Sequence, residues 1–291
     1  MNFNNFFVIY KKRINQALKN FLAPFFSKKN ILSHAIKNQL FPGGKRIRPL
    51  LVYAIGEMLK VKIHNLDIPA AAIECMHTYS LIHDDLPSMD NDKFRRGKLT
   101  CHAKYGENIA ILAGNCLQSL SFSILSDQSM PDVNNKCRIA MISELSKASG
   151  IKGMCNGQAY DLFLKKKKIT ISDLEKIYFY KTGALIHAAI NIGMLSAEEK
   201  RYHVMPLLKT YAHSISLAFQ LVDDILDKDQ DTFGTKKNKI TYPKLVGIKK
   251  TYQKIRILHE TALETLEKLS SQSFNTNLLK NIVNFIVMRK K

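Results

Sequence analysis

The sequence predicts an all-α fold, on three observations. Apolar residues recur at helical spacing over long segments, while alternating stretches bounded by hairpin turns are missing. Gly, Pro, Asn and Asp gather in a few short stretches between the apolar runs, where loops belong. The 291 residues, 46% hydrophobic and 23% charged, are enough to bury a large core. No composition shift marks a linker and no repeat period is visible, so residues 1–291 read as one large helical domain.

The elements follow in order. The segment "MNFNNFFVIYKKRINQALKNFLAPFF" is apolar in bursts broken by Lys11, Lys12 and Arg13. It is too interrupted for a signal core or a membrane span and reads as a first amphipathic helix, with peripheral membrane contact the lesser alternative. A loop is marked by "FPGGK". From Asp67 to Asp85 the chain is apolar nearly all round, which predicts a buried central helix. Further helical runs cover Asn108 to Leu125, Leu174 to Leu195, Glu198 to Asp227 and Tyr242 to Leu269, with loops at "SDQSMPDVNN" and "DQDTFGTKKNK".

Forty-four Lys and Arg against 24 Asp and Glu give a formal charge of +20. Such a balance suits nucleic acid or an anionic surface. The lysines, however, are spread along the whole chain, and the densest run, Lys165 to Lys168, has no interleaved aromatics. Solvated lysine is the better reading, no nucleic-acid partner is expected, and a small anionic substrate would profit from the same field. The five cysteines are scattered without a CxxC pair, which argues against disulfides and zinc and for a reducing cytoplasm. Cys101-His102 offers two adjacent ligands with no visible completion of a four-ligand site.

Two acidic groups stand out. In "FQLVDDILDKDQD", Asp223 and Asp227 share a helix face, and Asp224 lies about 100° round from Asp223. Like charges at that spacing oppose a helix unless a cation sits among them. Magnesium fits, since it takes oxygen ligands and shares substrate phosphates; a plain run of surface acids before a turn is the alternative. In "LIHDDLPSMDNDKFRRGK", Asp84, Asp85 and Asp90 repeat the chemistry at a different spacing. An ideal helix would turn Asp90 away from Asp84. Pro87 disfavours helical geometry at Leu86 and removes a donor, so a bend should return Asp90 to the pair.

Two basic groups accompany them. Arg95 and Arg96 follow the first acidic cluster directly, and a planar guanidinium suits phosphate oxygens left unneutralised by metal. Lys45, Arg46 and Arg48 stand in "GGKRIRP" behind Gly43-Gly44, able to bind a second anion without metal, or to form a solvated loop. The glycine and Ser/Thr spacing of a Walker loop or a dinucleotide fingerprint is absent.

With "GGKRIRP", "YSLIHDDLPSMDNDKFRRG", "ILAGN", "GQAYDL", "KTGALI", "FQLVDDILD", "TYPKLVG" and the basic "MRKK" in that order, the chain resembles the trans-prenyltransferases, the all-α isoprenyl diphosphate synthases. Within them it is most like the bacterial-type farnesyl diphosphate synthases. The resemblance implies a single helical bundle around a central active-site cavity, a homodimer, and a Mg²⁺-dependent head-to-tail condensation of isopentenyl diphosphate with dimethylallyl and geranyl diphosphates. It assigns Asp84, Asp85, Asp90, Asp223, Asp224 and Asp227 to about three Mg²⁺ on the allylic diphosphate. Arg95, Lys181 and a late-loop lysine, Lys236 or Lys237 with Lys239, hold the same group. Lys45, Arg48, His77 and Arg96 bind isopentenyl diphosphate, and Thr182 and Gln220 face the allylic cation with oxygen dipoles. Tyr79, five residues before Asp84, blocks the tunnel for the growing tail, which implies a C15 product. Geranyl or geranylgeranyl diphosphate synthesis is the alternative. A non-catalytic regulatory subunit would lack an aspartate cluster, and both are present.

The chain departs from the family pattern in "DKDQDTFGTKKNKITYP", which is shorter and has lost an acidic residue and one Gly-Lys pair. Lys93 also stands where the family is often acidic. Loop closure and rate are the properties these departures touch.

Overall fold

The helix α4 (Ile63–Asp84) is the axis of the amino-terminal half, and its composition explains why. Ala70, Ala71, Ala72, Ile73, Cys75 and Met76 are fully buried, so apolar side chains point in every direction from it, as expected of a helix with no solvent face. The structure, a computed structural model, describes residues 3–41, 43–164, 169–197, 202–230 and 240–289, with side chains omitted at 3–4, 202 and 227–230. Within these residues regular structure is helical apart from one pair of two-residue strands, as the sequence predicts. Packing divides the chain into two compact units, Met1–Ser143 with Leu195–Glu198, and Glu144–Met194 with Glu199–Lys291.

In the first unit α1 (Phe3–Leu22) is the expected amphipathic helix, burying Phe6, Ile14, Leu18 and Leu22 and ending where Pro24 opens a short 3-10 turn. Asn30 caps α2 (Ile31–Leu40), its side chain accepting from the Leu32 amide at 2.8 Å. The helix α3 (Ile47–Met58) packs on α4 with Leu50, Leu51 and Ile55 fully buried. After α4 come β1 (Phe94–Arg95) and β2 (Lys98–Leu99), paired antiparallel with Arg95 opposite Lys98, then α5 (Cys101–Tyr105). The most extensive packing in this unit joins α4 to α6 (Glu107–Asp127). By length and composition α6 could cross a membrane, with a mean hydropathy of 1.5 in its best window, and its Ile111 and Leu112 are 44% and 48% exposed. Next comes α7 (Asn135–Ser149).

The second unit contains α8 (Met154–Leu164), α9 (Ile171–Tyr178), α10 (Ala184–Leu195), α11 (Met205–Gln230), α12 (Tyr242–Val246), α13 (Ile248–Ser270) and α14 (Asn277–Met288). Leu217, Leu221, Val222 and Ile225 of α11 meet Ile255 and Leu258 of α13 in its core. Three of the predicted long runs are interrupted. The run Leu174 to Leu195 breaks into α9 and α10 around a π-helical turn, Phe179–Gly183, in which the Ala184 amide reaches back to the Phe179 carbonyl. Tyr242 to Leu269 breaks at Gly247, whose φ of 83° no β-carbon-bearing residue adopts comfortably. In the third, Glu198 to Asp227, the described residues begin with a 3-10 turn at Tyr202–Val204 and are α-helical from Met205, with Pro206 in the first helical turn where proline is tolerated.

Candidate active site

The first acidic cluster closes on itself as the Pro87 argument predicts. The helix α4 ends at Asp84, and the Asp90 amide donates to the Asp84 carbonyl at 2.9 Å, so the loop returns the third aspartate to the first. Asp84 is partly exposed and Asp90 exposed. Asp85 differs from both: it is 1% exposed and clamped by Arg95, whose Nε and Nη2 donate to Oδ1 at 2.8 and 2.6 Å. Burial raises the Asp85 pKa against the pull of Arg95. For Arg95, burial works the other way but is outweighed by the hydrogen bonds to Asp85 and the charges of Asp85, Asp92 and Asp84, and its pKa is raised.

The turn between β1 and β2 separates the two arginines. Arg96 and Gly97 have φ of 53° and 73°, the positive pair that a tight two-residue hairpin requires. Arg95, on the strand, reaches the aspartates. Arg96, in the turn, lies over Gly44, where a β-carbon would come within 2.4 Å of its Nη2. A side chain there would displace the Arg96 guanidinium from this position. In "GGKRIRP" the cations also divide. Arg46, 3% exposed with φ 54°, is structural: it donates to Asn15 of α1, the Leu40 carbonyl of α2 and Glu74 of α4. Arg48 Nη1 lies 3.3 Å from His77 Nε2, a contact that a neutral imidazole can accept. The His77 pKa is driven well below its ordinary value by burial first, then by Arg48, Arg96, Arg95 and Arg46. Arg48, His77 and Arg96 thus share one basic recess with the Gly43–Lys45 loop along it.

One helical turn before Asp84, Tyr79 is 8% exposed and packs edge-on to His83 with ring centroids 4.9 Å apart. His83 donates Nε2–H to the Ile111 carbonyl at 3.1 Å and rests against Gly114 of "ILAGN", where a β-carbon would meet Nε2 at 2.1 Å.

In the second unit the π turn carries Lys181 and Thr182. A π turn holds an extra residue and re-aims the side chains on it, and such turns recur at functional sites. Lys181 Nζ donates to Asp161 of α8 at 2.7 Å. Thr182 donates to the Gln220 amide oxygen at 3.1 Å, and the Gln220 amide nitrogen donates to Asp224 Oδ1 at 3.3 Å. Asp224 is fully buried and also accepts from the Tyr178 hydroxyl and from the Tyr242 amide at 2.9 Å. Burial and the Asp224 charge raise the Tyr178 pKa, so the phenol stays a donor. Asp223 is partly exposed and accepts from Arg289 Nη2 at 2.7 Å, while Arg289 also donates to the Phe219 carbonyl and lies 4.0 Å over the Phe219 ring.

Asp84 with Asp90, Arg48 with His77 and Arg96, and Thr182 with Gln220 are therefore neighbours within their units. Lys236, Lys237 and Lys239 lie outside the described residues, as does the side chain of Asp227. Three residues with evident roles were not singled out from the sequence: Asp161, Tyr178 and Arg289. Of these Asp161 and Arg289 had a signal, their places in "GQAYDL" and "MRKK", whereas Arg46, read as able to bind an anion, is instead tied to Glu74 and the Leu40 carbonyl. Among the described residues no three carboxylate, imidazole or thiolate groups converge into a closed cation site. Asp84 and Asp223 are partly exposed and Asp90 is exposed, so each presents carboxylate oxygen to solvent within its own unit.

A family model described as polyprenyl synthetase matches residues 29–281. The chain is 49% identical over 288 residues to a farnesyl diphosphate synthase of Escherichia coli (strain K12), covering 96% of each, and 47% identical over the full length of one from Buchnera aphidicola subsp. Schizaphis graminum. Among solved structures, a geranyltransferase from Legionella pneumophila superposes with a TM-score of 0.88 at 34% identity, covering 98% of this chain and 96% of that one. The helical fold agrees with these likenesses, and the chain belongs to the polyprenyl synthetase family.

Proposed function

We propose that this chain is a Mg²⁺-dependent prenyltransferase that joins isopentenyl diphosphate to dimethylallyl and then geranyl diphosphate, giving farnesyl diphosphate. The observation that carries the reading is the division made by the β1–β2 turn. Arg95 stands on Asp85, while Arg96 stands over Gly44 near Arg48 and His77, where the main acidic neighbour, Glu74, is already paired with Arg46. A reaction with one departing and one retained diphosphate needs one anion site with metal ligands and one with cations alone.

Lys45, Arg48 and Arg96 hold the diphosphate of the isopentenyl substrate, which keeps its charge throughout, and neutral His77 adds a hydrogen bond. Asp84, Asp90, Asp223 and Asp227 would hold the ions, while Asp85 and Asp224, also assigned to metal by the resemblance, are buried and already accept from Arg95 and from Tyr178 and Gln220, and brace their neighbours. Mg²⁺, when bound there, would supply Lewis-acid chemistry at the leaving oxygen, worth several kcal/mol. Arg95, Lys181 and a lysine of the late loop, Lys236 or Lys239, grip the same diphosphate. The C1–O bond breaks, and the oxygens of Thr182 and Gln220 face the positive charge that spreads over the allyl group. With its proton given to Gln220, the Thr182 hydroxyl presents its lone pairs. The isopentenyl double bond attacks C1, and the proton lost in forming the new double bond goes to the departed diphosphate, so no protein base is required. The reaction takes place in the cytoplasm, in a homodimer for which the exposed apolar residues of α6 supply a face.

Purified protein incubated with isopentenyl and dimethylallyl diphosphates should yield farnesol after dephosphorylation, and nothing when EDTA has removed divalent ions. Geraniol or geranylgeraniol as the main peak would reassign the product, and no condensation with Mg²⁺ present would overturn the reading.

A further inference from the structure

No step of this reaction uses Gln158. The residue is 8% exposed, yet neither its amide oxygen nor its amide nitrogen has a hydrogen-bond partner. A desolvated amide opposes folding unless its bonds are made, and an apolar side chain of similar volume would fill the same space without that cost. Stability alone therefore gives no reason for glutamine here.

Its neighbours on α8 supply one. Gly157 abuts the π turn so closely that a β-carbon would come within 2.2 Å of the Lys181 amide nitrogen and 2.7 Å of the Tyr180 carbonyl carbon. Asp161, three residues beyond Gln158 on the neighbouring face of the helix, accepts from Lys181 Nζ at 2.7 Å. Gln158 thus lies between two residues of α8 that touch Lys181, one through its backbone and one through its ammonium group. An unsatisfied donor beside a cation that binds diphosphate has an obvious partner, namely an anionic oxygen that arrives with the substrate.

We propose that Gln158 is a further substrate-binding residue, its amide N–H donating to an oxygen of the allylic diphosphate held by Lys181. The inference rests on the prenyltransferase reading. The amide is paired when the site is loaded, and the cost of leaving it unpaired falls on the empty enzyme.

The test is Gln158→Met, which keeps the volume and removes the amide. Three quantities are read: the melting temperature without ligand, the affinity for inorganic pyrophosphate with Mg²⁺ by calorimetry, and the KM of each substrate. The expected result is an unchanged or higher melting temperature, pyrophosphate affinity weakened about tenfold, and a raised KM for dimethylallyl but not isopentenyl diphosphate. Gln158→Glu, which places a charge against the diphosphate, should weaken pyrophosphate binding further, and it supplies the same readout if the Met variant does not fold. Unchanged pyrophosphate affinity in either variant overturns the proposal, and a lowered melting temperature alongside it marks a purely structural amide. Wild-type protein that binds pyrophosphate but forms no product would instead sink the prenyltransferase reading, leaving the comparison of affinities as a separate result.

Discussion

His187 packs on the Phe179 ring with centroids 5.4 Å apart, and its buried Nε2 has no partner. Burial, with smaller contributions from His213 and Lys209, lowers its pKa to about 4. An unfolded histidine titrates near about 6.5. Between those values the unfolded chain binds the extra proton, so the neutral ring's contribution is complete above about pH 6.5 and is lost as the pH falls towards 4. His77 is depressed in the same sense and adds to the same acid limb. Melting curves across this range should therefore slope down towards acid, and His187→Phe should flatten part of that slope; identical slopes would clear His187 of the effect. Tyr79, wedged against His83, makes a second prediction at this scale. Tyr79→Ala should shift the dephosphorylated products to chains longer than farnesol, and an unchanged chromatogram would remove Tyr79 from length control. The acidic residues show what a sequence can and cannot convey. Their number and proximity are plain in the letters, and so is the bend that returns Asp90 to Asp84. That Asp85 and Asp224 are each buried against protein donors is not, because those partners are fixed by tertiary packing: Tyr178 and Tyr242 of the Asp224 shell stand 46 and 18 residues away.

Close approach between elements is governed by glycine at Gly114, against His83, and at Gly157, and neither instance can be read from periodicity. Gly157 lets α8 touch the backbone of the π turn. An alanine there meets main-chain atoms rather than a yielding side-chain end, so α8 or the turn must move. Gly157→Ala should cost about 1–3 kcal/mol in chemical denaturation. Because a small misplacement of a positioned group is expensive in rate, it should also cut kcat by roughly a hundredfold. A loss of stability with kcat intact would mean that the turn keeps its geometry despite the shift. The helices themselves were mostly legible, since a 3.6-residue period survives local irregularity. The breaks at Gly247 and in Phe179–Gly183 were not. A π turn has no composition of its own, and its flanks are as apolar as the helices they join.

At the scale of the whole molecule, the fold class and the prenyltransferase chemistry were visible in the sequence because motif order carries them, whereas surface use was not. Helix α6 shows why: its apolar content suits a core helix, and only the structure reveals that Ile111 and Leu112 remain 44% and 48% exposed. If this face joins two copies, Ile111→Glu with Leu112→Lys should halve the mass seen by sedimentation at micromolar concentration while leaving the monomer folded by circular dichroism. A wild-type mass of one chain would dismiss the interface. The π turn between α9 and α10 carries a last implication. It stores one surplus residue in a helix that would otherwise run straight, so deleting a single amino acid between Thr170 and Phe179 offers that helix a smoother path. Such a shortened protein should melt no earlier than its parent yet turn Lys181 and Thr182 to a different bearing, and a screen for stability alone would pass over the change.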